Sequence, residues 1–106
     1  MITPQISIVT PQGRLDAASA RSLEAELQQR IAAGETRLIV DFESTRYVGS
    51  NGLRVLLVAL KQVQQQGGAL KLCCLAPRLK EILAMAGFDR VFEIFDTREQ
   101  AEKSFE

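Results

Sequence analysis

A serine standing where an apolar strand gives way to an apolar helix offers a hydroxyl that chemistry can use. In Leu38-Ile-Val-Asp-Phe-Glu-Ser-Thr-Arg-Tyr-Val-Gly-Ser-Asn-Gly-Leu-Arg-Val-Leu-Leu57, the run Leu38 to Val40 has the continuous apolarity of a central strand covered on both faces. Leu53, Leu56, Leu57, Leu60 and Val63 then recur at helical spacing. Ser50 and Asn51 fall at the turn between them and are both good helix N-caps, and Gly52 lets another segment approach closely. The first turn of such a helix presents unpaired N–H groups at a positive dipole end. A phosphate esterified to Ser50 would be received there at little internal cost. The plainer reading of the same residues is a capped helix.

The residue types that are missing narrow the chemistry further. The sequence has no histidine, so the usual general base is absent and Ser-His or Cys-His nucleophilic mechanisms are excluded. No Gly-Lys-Ser/Thr phosphate cradle occurs, and a nucleotide site is not expected. Cys73 and Cys74 are neighbours. In a strand their side chains point to opposite faces, which predicts free, buried thiols and no disulfide between them. Without histidine or spaced cysteine pairs, no metal-ligand set is expected, and nothing calls for a cofactor. These absences leave the inventory of catalytic residues nearly empty.

The 106 residues make one domain, 1–106, with a single core. Thirteen basic residues balance thirteen acidic ones, so no overall field favours direct contact with nucleic acid or an anionic membrane. No run of about twenty apolar residues could insert in a bilayer, and no charged-then-apolar leader follows Met1. The chain therefore reads as cytoplasmic.

Strands are predicted at Ile6–Thr10, Arg37–Phe42, Ala69–Leu75 and Val91–Phe95, with a brief extension at Arg14–Leu15. Between them fall a helix that opens at Asp16 or Ser19 and stops at Gly34, the central helix to about Gln66, and a helix opened by Pro77 and closed at Gly87. Thr97-Arg-Glu-Gln100 has the form of a capping box for a last short helix. Residues 43–49 read as loop. This alternation predicts an α/β domain whose central strands are parallel. The central helix carries more apolar surface than one buried stripe needs, since Val55, Val58 and Ala59 add to the five positions above. Either it is sunk deeply or it presents an apolar docking face beside Ser50.

Three blocks, Gly13-Arg-Leu-Asp16, Gly49-Ser-Asn-Gly-Leu53 and Pro77-Arg-Leu-Lys-Glu-Ile-Leu-Ala-Met-Ala-Gly-Phe88, together resemble the STAS domain family, in particular the anti-sigma factor antagonists. The likeness runs over nearly the whole chain. In that family the central signature is roughly Asp-Ser-Ser/Thr-Gly-Leu, and its first serine is phosphorylated by a partner kinase. Ser50 falls on that position, with Gly49 in place of the acid and Asn51 in place of the second hydroxyl residue. The resemblance implies a four- or five-stranded mixed sheet with about four helices. It also implies a further strand ahead of Ile6. Only five residues precede Ile6, so this edge strand is expected to be short or missing, leaving an edge where a second copy could pair.

As function, the resemblance implies partner switching. A serine kinase that doubles as an anti-sigma factor would bind the chain, phosphorylation of Ser50 would release it, and a phosphatase would reset it. The expected partner-binding residues are Asp16, Gly49, Asn51, Gly52, Arg54, Val55 and Val58. The competing expectation is a constitutive STAS adaptor, or accessory subunit of a transport or signalling complex, that docks through the same helix without phosphorylation. Gly49 and the short leading segment lean toward that second reading.

Overall fold

A computed structural model describes residues 5–106. Its elements follow in the order β1 (Ser7–Val9), β2 (Gly13–Leu15), α1 (Ala17–Ala32), β3 (Arg37–Asp41), β4 (Thr45–Val48), α2 (Ser50–Gln65), β5 (Ala69–Cys73), α3 (Pro77–Met85), β6 (Ile94–Phe95) and α4 (Arg98–Lys103). A 3-10 turn at Phe88–Arg90 follows α3. Strands β1, β3, β5 and β6 form a four-stranded sheet in the order β1-β3-β5-β6, and β2 pairs with β4 in a separate two-stranded ladder. Every pairing among the described residues is parallel. Mixed character was expected of the sheet, but each pair of neighbouring strands is joined through a helix, and such crossovers return the chain in the same direction. The strand expected ahead of Ile6 falls largely outside the described residues.

The central run behaves as its composition demands. Leu38 and Val40 on β3, with Leu70 and Leu72 on β5, point into the main core beneath α1, α2 and α3, while Ile39 and Cys73 join a smaller cluster under α4. The two-residue period thus supplies both faces of a doubly covered sheet. Helix α1 contributes Ala20, Leu23, Leu27 and Ile31, and α2 contributes Leu56, Ala59, Leu60 and Val63. Full burial of each large aliphatic side chain favours folding by roughly 1.5–3 kcal/mol, which makes this helix-on-sheet layer the main source of stability.

Strand β4 was expected to be loop. Thr45 and Val48 are buried while Arg46 and Tyr47 between them are exposed, and the partner strand β2 lies some thirty positions earlier in the chain. Its register, Leu15 opposite Val48, sets the N-terminus of α1 beside that of α2. The Gly49 N–H donates to the Leu15 carbonyl at 3.1 Å and extends the contact to the mouth of α2. Gly52 tightens it further. A Cβ there would lie 2.6 Å from Leu15 Cδ2 and 3.1 Å from Val48 Cγ1, so the absence of a side chain is what allows α2 to seat on the β2-β4 ladder.

Candidate functional site

Both helix mouths open at the carboxyl ends of the parallel strands β2 and β4, the edge where α/β folds gather their functional groups. At the mouth of α1, Asp16 is the N-cap. Its carboxylate accepts from the Ser19 N–H at 3.1 Å, and the Ser19 hydroxyl in turn accepts from the Asp16 N–H at 2.9 Å, closing a capping box. The Ser19 N–H, together with the Ser19 hydroxyl, which also lies 2.9 Å from Asp16 Oδ1 and donates to it, holds the Asp16 carboxyl below its ordinary pKa. Of the two candidate caps, the helix uses Asp16, and the carboxylate remains exposed.

At the mouth of α2 the cap differs from expectation. Gly49, extended at φ −88° and ψ 178°, is the N-cap, so Ser50 is the first helical residue and Asn51 the second. No side chain caps this helix, and its first turn contains no acidic residue. The displacement follows from Gly49: its N–H is already committed to Leu15, which holds it in the extended conformation of the cap. Ser50 and Asn51 are both exposed. The N-terminal partial charge of α2 is therefore not offset by a carboxylate of its own first turn.

Tyr47 shields Gly49 from one side. A Cβ built on Gly49 would lie 3.3 Å from the Tyr47 ring, and the Arg14 guanidinium stacks over that ring at 4.4 Å from its centroid. The aromatic thus stands against the position where the family carries an acid.

Beside these mouths a groove of about 310 Å3 runs between α1 and α2, lined by Asn51, Arg54, Val55 and Val58 from α2 and by Ala17, Ala20, Arg21 and Glu24 from α1. Four of the seven expected partner-binding residues meet in it. Val58 is 43% exposed, which answers the question about the central helix: α2 is sunk along Leu56, Ala59, Leu60 and Val63 and presents an apolar strip at its other edge. Asp16 and Gly49 flank the groove at the helix mouths. Gly52 does not belong to the surface; buried against Leu15 and Val48, it positions the helix and touches nothing outside. The α1 lining and Tyr47 were missed in the sequence, although the small residues Ala17 and Ala20 one turn apart were a signal for a shallow helix surface.

A second cluster lies at the carboxyl ends of β3 and β5. Cys74 leaves β5 with φ +63°, the one left-handed non-glycine residue described, and this reverses the expected divergence of the two thiols. The Cys73 and Cys74 sulfurs and an Asp41 carboxylate oxygen all lie within 4.8 Å of one another. Burial, the Cys74 thiol and then the Asp41 charge push the Cys73 thiol far above its ordinary pKa. Burial and the Asp41 charge push Cys74 up as well, with the Cys73 contact acting against them. Asp41 is buried, accepts from the Glu43 N–H at 2.9 Å and faces Arg98 Nε at 3.5 Å.

The STAS domain pattern matches residues 1–101, and the chain belongs to the STAS domain family. Its sequence is 39% identical over 94 residues to BtrV of Bordetella bronchiseptica, named as a candidate anti-sigma factor antagonist, covering 89% of this chain and 81% of that protein. The fold is shared with the Bacillus cell fate determinant SpoIIAA in its phosphorylated form, at a TM-score of 0.76 and 20% identity over 100% of this chain and 96% of the other. It is shared equally with a sulfate transporter family protein of Wolinella succinogenes, at a TM-score of 0.81 and 20% identity over 94% and 84% of the two chains. At 20% identity these two likenesses show the fold alone, which anti-sigma factor antagonists and transporter STAS domains share. Among the described residues no helix is long and apolar enough to cross a membrane.

Proposed function

We propose that this STAS domain is a cytoplasmic, non-catalytic partner-switching module of the anti-sigma antagonist type, bound by a serine kinase that serves as the anti-sigma factor and released when Ser50 is phosphorylated. The observation that carries the reading is the mouth of α2: an exposed serine at the first helical position, with no capping side chain and no first-turn acid, directly before Asn51, which lines the α1-α2 groove. A phosphoserine there adds roughly −1.5 to −2 charges and finds free N–H groups on its own helix, so the modified chain keeps its fold. The penalty falls on the partner, which would have to bury that charge against the groove. Each ~1.4 kcal/mol of it weakens binding about tenfold. A phosphatase would restore the binding form, and the kinase would supply nucleotide and magnesium.

Gly49 favours a second reading, the constitutive adaptor or accessory subunit of a transport or signalling complex, because the acid that the family sets beside the accepting serine is replaced by hydrogen under Tyr47. One experiment distinguishes the two. Wild type, Ser50→Ala and Ser50→Asp are immobilised and exposed to native lysate, the retained kinase is purified, and ATP is added. Release of wild type with one phosphate mapped to Ser50, retention of Ser50→Ala and failure of Ser50→Asp to bind are the expected outcomes. Equal retention of all three variants with no phosphate on Ser50 would establish the adaptor. The outer edge of β1 pairs with no other described strand, and a dimer formed there would appear as concentration-dependent mass in sedimentation.

A further inference from the structure

The left-handed turn at Cys74 has no role in the partner-switching surface, yet it is a conformation that L side chains rarely adopt. Its effect is to fold the second thiol of a vicinal pair back toward the first and toward a buried carboxylate. We propose that Asp41, Cys73 and Cys74 form a binding site for a thiophilic divalent cation of the zinc type.

The geometry fits such an ion. Two thiolates on one tetrahedral zinc stand about 3.8 Å apart, and a thiolate and carboxylate oxygen about 3.5 Å. The three ligand atoms here lie within 4.8 Å of one another, a spacing that small side-chain rotations close. The carboxylate is oriented for the task. Asp41 Oδ1 accepts from the Glu43 N–H, while Oδ2 faces the Arg98 guanidinium at 3.5 Å, too long for a good hydrogen bond. Arg98 becomes an outer partner of the ligating oxygen, the kind of contact that fixes a ligand's orientation. Charge is also balanced, since two thiolates and a carboxylate are offset by a divalent ion together with Arg98.

Access is provided by a cavity of about 580 Å3 lined in part by Asp41, Cys74, Thr97 and Arg98. It leaves the fourth coordination position open to water or to a further ligand. This site lies at the carboxyl ends of β3 and β5, under α4, and shares no residue with the α1-α2 groove.

The test is a titration of the reduced full chain with cobalt(II) under argon, followed by the thiolate-to-cobalt charge-transfer absorption, with zinc then added in competition. We expect one cobalt per chain, a charge-transfer band, and its loss to equimolar zinc. Cys74→Ser, at a half-buried position, is expected to lose about half of the band, leaving the Cys73 share, and at least about a hundredfold in affinity. Asp41→Asn should weaken binding about tenfold or more while keeping the thiolate band at saturating cobalt. The melting temperature of each metal-free variant identifies any that has unfolded. A measurement on wild type needs no variant: zinc should protect Cys74 from alkylation by iodoacetamide. No charge-transfer band up to millimolar cobalt, undiminished affinity in folded Cys74→Ser, or alkylation at the same rate with and without zinc would each overturn the assignment.

Discussion

Replacing Gly52 by alanine tests whether the mouth of α2 is held by close packing on the β2-β4 ladder. The new Cβ would meet Leu15 Cδ2 at 2.6 Å, Leu15 Cγ at 2.9 Å and Val48 Cγ1 at 3.1 Å. Leu15 is 2% exposed and Val48 3%, so neither can swing away into solvent. Overpacking of this kind costs about 1–3 kcal/mol, and the better helix propensity of alanine returns at most ~1 kcal/mol near a helix end. A net loss of about 1–2 kcal/mol remains. For a domain of this size it corresponds to a fall in Tm of about 5–10 °C. Leu15→Ala removes the two atoms closest to the new methyl group, and alone it should cost about 2–5 kcal/mol through the cavity it leaves. In the double variant the alanine at 52 grows into that cavity. The two costs should then fall short of additivity by about 1–2 kcal/mol in urea denaturation followed by circular dichroism. Additivity within ~0.5 kcal/mol, or a Gly52→Ala protein that melts at or above wild type, would refute the packing account.

Three further outcomes follow from the same contacts. Val58→Glu, at an exposed position in the groove, should leave stability within ~0.5 kcal/mol of wild type while weakening partner binding at least about tenfold by calorimetry; unchanged affinity would remove Val58 from the docking surface. Because the Ser19 bonds lower the pKa of Asp16 in the folded state, the stability they contribute is present above the ordinary aspartate pKa and lost as pH falls through the lowered folded value. Asp16→Asn retains a capping side chain without the titration, so thermal melts between about pH 5 and 2 should fall less steeply for the variant than for wild type, and parallel curves would exclude the carboxylate as the cause. Wild type and Ser50→Ala should melt together, since the Ser50 side chain caps nothing; a loss of several degrees in the alanine variant would show that the hydroxyl supports the fold.

Most of the architecture was legible because it depends on patterns that a linear chain displays. The unbroken apolar run Leu38 to Val40 announced a strand buried on both faces, Pro77 opened α3 at its first position, and Thr97 with Gln100 formed the expected capping box. The failures share a cause, which is that distant partners decide local conformation. Thr45–Val48 is a strand because Gly13–Leu15 lies alongside it, and four residues with two exposed between two buried carry little signal alone. Ser50 gave up the cap to Gly49 because the Leu15 carbonyl fixes the Gly49 N–H. The pairing of two adjacent thiols depended on one backbone angle at Cys74, where strand periodicity predicted divergence. At the site, Val55 and Val58 were visible as surplus apolar positions of the central helix, and Asn51 and Arg54 followed from the family resemblance, whereas the α1 lining required the tertiary arrangement.

The separation of the groove rim from its foundation bears on how such modules diverge. Gly52, Leu15 and Val48 interlock, and a change at any one of them requires compensation at the others. Arg21, Glu24 and Arg54 stand exposed at the groove and carry no part of the core. A duplicated copy can therefore reverse or exchange its rim charges in single steps without losing the fold. Each step would turn it away from the original partner and toward another by like-charge repulsion as much as by attraction. Several such modules could then operate in one cell on a shared scaffold, with fidelity encoded in a handful of freely mutable positions along two helices.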